Sequence, residues 1–187
     1  MKKDSLYKSY KGFKILLVYP NIQLCEMMPY SIGLLTALLR REGFTVDLFD
    51  TTFYVDKVNN NYESFHDYVQ EFDWKEKGRI FKTNIIKDFH KKIEEFDPNL
   101  ICVSVVENTY PTAKKMINSL SKNMKKIPVM WGGVFATFAP HLILKDNVGD
   151  YVCIGEGDDA IIEFCKRFHD GISVENTPNF WVKKNGN

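Results

Sequence analysis

Five short apolar runs, separated by stretches with helical spacing, constrain this chain more than any other feature. They are KILLVY (14–19), TVDLFD (45–50), LICVSVV (100–106), PVMW (128–131) and YVCI (151–154). Most are continuously apolar and rich in β-branched residues, as strands covered on both faces should be. Ile32, Leu35 and Leu39 follow Pro29 at helical spacing and stop at Gly43, a suitable residue just past a helix end. Phe81, Ile85, Phe89, Ile93 and Phe96 repeat likewise and stop before Pro98. Ala113, Met116, Ile117, Leu120 and Met124 form a third stripe, opened by Pro111. Ile161, Phe164, Cys165 and Phe168 form a fourth, with Asp158 as the expected N-cap. Strands alternating with helices give βαβ units. The expected class is therefore α/β: a Rossmann-like (flavodoxin-like) sheet of five parallel strands, order 2-1-3-4-5, with helices on both faces.

In such a sheet ligands bind beyond the carboxyl ends of the strands, near the switch between strands 1 and 3. The loops at 20–29, 107–111, 132–140 and 155–158 therefore matter most. The first of them excludes several ligands. Pro20-Asn21-Ile22-Gln23-Leu24 holds no glycine, so neither a GxGxxG nor a GxxxxGK[ST] phosphate loop is present. A phospho-receiver domain would end strand 3 in Asp, whereas this run ends Val105-Val106-Glu107-Asn108. The glycines lie instead after strands 4 and 5, as Gly132-Gly133 and Gly155-Glu156-Gly157. Glycine lets a ligand lie against bare backbone. Either group alone would read as a tight turn or close packing. Together, on neighbouring strands, they favour an elongated ligand, with hydroxyls from Ser104, Thr109 and Thr137 along its path. A bulky residue at Gly133 is expected to block that ligand and leave the fold largely intact. Gly33 serves helix packing or ligand approach equally well, and Glu156 a ligand hydrogen bond or a turn.

Other signals narrow the class. Net charge is +1 and the charged residues interleave, so composition offers no footprint for nucleic acid or an anionic membrane. Cys25, Cys102, Cys153 and Cys165 form no CxxC or CxxxC pair, which leaves a zinc site or iron–sulfur cluster without support. Cys102 and Cys153 read as small buried hydrophobes of a reducing compartment. His66, His90, His141 and His169 lack metal-ligand spacing. The run from Ile15 to Tyr19 is too short for a signal core or membrane span, so a soluble, cytoplasmic protein is expected. Residues 51–79, rich in Tyr, Phe and Asn, are long for a βα connection. They read as one or two small helices on the domain edge, or as a lid or docking surface.

The chain resembles the N-terminal cobalamin (B12)-binding domain of B12-dependent radical SAM enzymes. The resemblance rests on KILLVYPN, PYSIGLLTALLRREGFTVDLFD, FDPNLICVSVVENTYPTAKKM, IPVMWGGVFATFAP and DYVCIGEGDDAIIEF, which cover most of 13–168. It implies a Rossmann-like domain holding cobalamin, with the nucleotide tail threaded toward the sheet and the corrin across the strand ends. By position, Ser104, Thr109 and Tyr110 would line the strand-3 side of the tail. Gly132 and Gly133 would sit beside it, with Phe135, Ala136 and Thr137 beyond. Gly155, Glu156 and Gly157 would contact the nucleotide end. Asn21, Ile22, Gln23 and Leu24, with Gly33, would face the corrin's lower side. The DxHxxG loop of related mutases is missing, as is common in the radical SAM group, and Phe135 stands where the family often has His.

The resemblance also implies a 4Fe–4S cluster and S-adenosylmethionine in a C-terminal radical SAM domain, whose CxxxCxxC this chain lacks. The expected organisation is an N-terminal tail (1–12), the cobalamin-binding domain (13–170) and a linker (171–187) toward that domain, the ending NFWVKKNGN resembling the strand and turn that lead there. The chain is expected to be a domain fragment or a solitary binding domain, without turnover of its own. The alternative is a stand-alone flavodoxin-like binding or regulatory domain for a nucleotide or a protein partner.

Overall fold

The computed structural model describes residues 10–21, 29–54 and 82–183. Six strands form one sheet: β1 (Lys14–Tyr19), β2 (Thr45–Asp50), β3 (Leu100–Ser104), β4 (Val129–Gly132), β5 (Tyr151–Cys153) and β6 (Phe180–Val182). Their order is β2-β1-β3-β4-β5-β6. The first five are parallel in the expected order, and β6 runs antiparallel to β5. The expected five strands are therefore corrected to six. The sixth has only three residues, too few to show a period, and lies in the stretch read as linker. Phe180 buries its ring against Phe164, at 4.6 Å between centroids, which fastens β6 to the core.

Among the described residues six α-helices accompany the sheet: α1 (Tyr30–Arg41), α2 (Ile85–Phe96), α3 (Tyr110–Asn118), α4 (Val134–Phe138), α5 (Pro140–Lys145) and α6 (Asp158–His169). Strand side chains alternate between two apolar layers. Ile15, Leu17, Cys102, Met130 and Cys153 face Ile32 and Leu39 of α1 and Ile161 and Phe164 of α6. Leu16, Val18, Ile101, Val103 and Trp131 face the opposite layer, with Phe89 of α2, Met116 of α3 and Ile143 of α5. Both faces of the parallel sheet are thus covered, which explains the unbroken apolar runs.

The helix boundaries follow local chemistry. Gly43, at φ +95°, closes α1, with its N–H and that of Phe44 donating to Arg40 and Leu39 carbonyls. Two expectations shift. Gly157, not Asp158, occupies the N-cap of α6, and Asp158 and Asp159 fill its first turn, where their charge complements the helix dipole. The third stripe is not one helix. α3 stops at Asn118, where Ser119 Oγ donates to the Met116 carbonyl, and Met124 buries from a separate 3-10 turn. α4 and α5 have five and six residues, too short for a sequence period to reveal.

Two contacts set testable limits on this architecture. Trp131 is fully buried, and its Nε1 donates to the Val148 carbonyl at 3.0 Å. A Cβ at Gly149 would overlap Trp131 Nε1 and Cδ1. Gly149→Ala is expected to cost about 1–3 kcal/mol in urea denaturation, by overpacking and loss of that hydrogen bond. Glu42, just past α1, pairs with Lys166 of α6 at 2.6 Å and with Arg41 at 3.4 Å. The Lys166 hydrogen bond, with Arg41 adding to it, holds the Glu42 carboxyl below its ordinary range despite partial burial. A lowered folded value means that the stabilisation is present above the ordinary carboxylate range and lost as pH falls through the folded value. Glu42→Gln is expected to lower stability by under about 1 kcal/mol at neutral pH. The difference from wild type should close in acid, as denaturation at about pH 7 and about pH 3 would read.

Candidate functional site

From β1 the chain passes to α1 on one face, and from β3 to α3 on the other. The strand ends therefore diverge into a crevice. A cavity of about 1320 Å³ occupies it. That exceeds the roughly 300–1,000 Å³ usual for drug-sized ligands, so the site suits something larger than a mononucleotide.

The cavity has a floor, a slot and a mouth. Leu17, Cys102 and Met130 are neighbours in register on β1, β3 and β4 and form the floor. One step toward the strand ends, Ser104 pairs with Gly132 in register. A Cβ on Gly132 would meet only Cys153 Cβ, at 4.0 Å, so the missing side chain leaves a gap between Ser104 and Cys153. Leu35 of α1 and Ile161 of α6 wall this gap on the other side. Gly157 closes the end: a Cβ there would lie 4.0 Å from both Cys153 Sγ and Leu35 Cδ2. Burial, with a contribution from Cys153, pushes the Cys102 thiol far up, and burial raises Cys153 to about 11, so both are protonated apolar groups. Cys102 and Cys153 are free and buried, as the sequence reading expected, and so is Cys165. At the mouth, Tyr30, Val106, Val134 and Phe138 are exposed by 83%, 37%, 59% and 80%, giving the cavity an apolar rim.

The glycines divide into two kinds. Gly133 has φ +90°, and a Cβ there would lie 2.7 Å from the Val105 oxygen and 2.9 Å from its nitrogen. Its close approach is to the β3 backbone, so a bulky residue there would disturb the fold, contrary to the expectation above. Gly132, with room beside it, is the glycine that opens toward the cavity. Gly155 has φ +70° with open space around it, so its requirement is the turn itself. Thr137 links the two loops. Its hydroxyl accepts from the Gly155 N–H at 3.0 Å and donates to the Gly133 carbonyl at 3.1 Å. Asn179, leading into β6, donates from Nδ2 to the Glu156 carbonyl at 3.1 Å and so holds the same loop from the other side.

Of the residues singled out in the sequence, Asn21, Ser104, Thr109, Gly132, Gly133, Thr137, Gly155, Glu156 and Gly157 line the cavity. Asn21 is fixed at its rim: its N–H donates to Thr51 Oγ1 at 2.6 Å and its Nδ2 to Thr52 Oγ1 at 2.9 Å. The Thr109 hydroxyl caps its own turn through Val106. Ser104 Oγ has no hydrogen-bond partner among the described residues and is half-buried in the cavity wall. Four residues sit elsewhere. Tyr110 donates to Asp146 Oδ2 at 2.8 Å, and its ring packs on Phe135 at 4.5 Å and Trp131 at 5.4 Å. Burial and the Asp146 carboxylate push the Tyr110 hydroxyl up, so it stays protonated. Phe135 therefore turns toward the α3 layer, and Ala136 is fully buried in that layer. Gly33 is exposed on α1, away from the lining. Ile22, Gln23 and Leu24 lie outside the described residues. The sequence reading missed the residues that form the floor and rim of the cavity. Strand parity could have flagged the floor, because Cys102 shares a face with Ser104 and Met130 shares one with Gly132.

The described histidines also sit away from the cavity. His90 pairs with Ser119, His169 packs with Tyr10 and Phe13 at the opposite end of the sheet, and His141 is exposed on α5. Among the described residues no group of three His, Cys, Asp or Glu side chains could hold a metal ion. No described helix is long and apolar enough to cross a membrane.

This arrangement defines a ligand-binding α/β domain with a deep apolar slot below a broad apolar rim. The family model for the B12 binding domain matches residues 25–164, well over half of the chain, and the chain belongs to that family. No curated protein matches it. Among solved structures, the radical S-adenosylmethionine methyltransferase TsrM from Kitasatospora setae, with cobalamin and a 4Fe–4S cluster bound, aligns with a TM-score of 0.67 at 22% identity. The alignment covers 92% of this chain and 29% of TsrM. The cobalamin-dependent S-adenosylmethionine radical enzyme OxsB, with aqua-cobalamin and S-adenosylmethionine bound, aligns with a TM-score of 0.64 at 16% identity, over 93% of this chain and 21% of OxsB. The likeness to both is one of fold, and the chain spans less than a third of either enzyme. Cobalamin, the ligand for which the family is named, fits the residues present. The gap beside Gly132 is bordered by bare backbone and apolar side chains, and the rim above it is apolar.

The two adjacent glycines supply a direct check. Gly133→Ala is expected to cost about 2–4 kcal/mol, from strain at positive φ and overlap with Val105. Gly132→Ala should leave stability within about 0.5 kcal/mol of wild type. Urea denaturation of the two variants side by side reads the difference.

Proposed function

We propose that this chain is the cobalamin-binding module of a B12-dependent radical SAM enzyme of the methyltransferase or cyclase type. Its task is to hold the corrin base-off for chemistry carried out by a C-terminal radical SAM domain. The observation that carries this reading is the continuous cavity from the apolar rim to the slot beside Gly132. In this reading the nucleotide tail enters the slot over Gly132, between Ser104 and Cys153. Ser104 Oγ is free to hydrogen-bond a ring nitrogen of the tail, and Gly155 to Gly157 border the tail's nucleotide. Tyr30, Val106, Val134 and Phe138 form the seat of the corrin and exclude water from its lower side. When bound, cobalamin supplies a cobalt centre able to carry a methyl group or change oxidation state, and the protein supplies placement and environment. The sequence of the first loop has no histidine and none of the described histidines lines the cavity, which supports binding without a protein imidazole below the cobalt. The cluster and S-adenosylmethionine belong, in this reading, to the C-terminal domain, as a partner of the exposed rim. The free thiols are in keeping with work in a reducing cytoplasm.

The reading predicts that the folded chain binds hydroxocobalamin with a base-off visible spectrum. Gly132→Phe, which fills the slot where the backbone has room for a Cβ, should weaken binding about a hundredfold or more. Its circular dichroism should remain that of wild type. Failure of the folded wild-type chain to bind, or co-purification with a flavin or nucleotide in place of a corrinoid, would count decisively against the proposal.

A further inference from the structure

Corrinoids differ in the heterocycle that ends the nucleotide tail. A benzimidazole has an apolar edge and, when base-off, one free ring nitrogen. A purine such as adenine carries an amino group and several ring nitrogens. The slot's chemistry bears on this difference, and the inference rests on the cobalamin reading above. Its floor and walls at the β3–β5 end are Cys102, Met130, Cys153, Leu35 and Ile161, all apolar or weakly polar side chains. Cys102 Sγ lies 3.9 Å from Met130 Sδ, so the two sulfurs form one contiguous soft surface. Along the slot, Cys102 and Ser104 pair with Met130 and Gly132 in the β3–β4 ladder, and the Gly132 carbonyl accepts from the Val105 N–H. Among the described residues, the hydroxyl offered between Cys102, Gly132 and Cys153 is Ser104 Oγ, which has no protein partner.

We propose that this slot selects the lower base of the corrinoid, accepting a benzimidazole and discriminating against a purine. One free hydroxyl matches the one ring nitrogen of a benzimidazole. The sulfur floor receives its methylated edge by dispersion. A purine in the same slot buries an amino group and further ring nitrogens against thiol, thioether and hydrocarbon. Those groups lose water without gaining partners, which weakens binding by about tenfold to a hundredfold. Met130 and Cys102 are the specificity-determining residues, because they define the surface that the far edge of the base meets.

The test titrates the 187-residue chain with three ligands: cobalamin, an adenine-bearing corrinoid and cobinamide, which lacks the nucleotide tail. Quenching of tryptophan fluorescence and the visible spectrum report binding. Cobalamin should bind at least about tenfold more tightly than the adenine corrinoid. Met130→Gln, which sets an amide on the floor, should narrow that ratio. If this variant does not fold, Cys102→Ser, a near-isosteric change on the same floor, should narrow it in the same direction. A cobalamin-to-adenine ratio below about threefold in the wild type, or a ratio unmoved by the folded variant, overturns the selection. In that case the cobalamin reading still stands if cobinamide binds more weakly than both tailed corrinoids. Binding of none of the three overturns the cobalamin reading, and the selection with it.

Discussion

The site depends on one close approach of backbone to backbone. Gly133 turns the chain out of β4 directly against Val105, where a Cβ would have no room. Two hydrogen bonds fasten the junction: the Val105 N–H donates to the Gly132 carbonyl, and the Phe135 N–H donates to the Val105 carbonyl. The ends of β3 and β4 are thereby locked together. That lock holds Ser104 and Gly132 side by side in register and leaves the gap above Gly132 open. Gly133, itself part of the cavity lining, holds this junction at positive φ.

Around that junction the protein uses polar groups to fix loops and apolar groups to form the walls. Thr137 joins the glycine loops of β4 and β5, Asn179 holds the second loop from the β6 side, and Asn21 ties the end of β1 to Thr51 and Thr52. Several polar residues that looked ligand-directed in the sequence are committed to the frame instead, with Thr109 and Tyr110 the clearest cases. The floor of the cavity and the walls of its slot are sulfur, hydrocarbon and bare backbone, while Asn21, Ser104, Thr109, Thr137 and Glu156 supply the polar part of the lining. Such a site gains affinity from area and shape, and specificity from the few polar groups left free.

The fold was largely legible because a parallel sheet imposes a strong pattern. Ile15 to Tyr19 and Leu100 to Val103 must be apolar on both faces, and the helices between them must carry stripes. Elements too short to carry a period were not legible. β6, α4 and α5 span three to six residues and take their structure from what they pack on, as Phe180 does against Phe164. The break after α3 was hidden because Leu120 and Met124 remain buried although the helix has ended, so the apolar spacing continues without the helix.

The sequence alone determined the class of sheet, the order of its parallel strands and the end at which the cavity lies, because those follow from periodicity and the handedness of βαβ connections. It also removed the usual phosphate loops, since their glycines are absent from the first turn. Only the tertiary structure decided which glycine has room beside it in the cavity and which packs on the neighbouring strand. Gly132 and Gly133 are chemically identical and adjacent, and what separates them is the position of Val105 and Cys153 across the sheet. The same holds for the slot floor. Cys102 and Met130 read as core residues and are core residues, and they also line the cavity because the missing side chain of Gly132 leaves space above them.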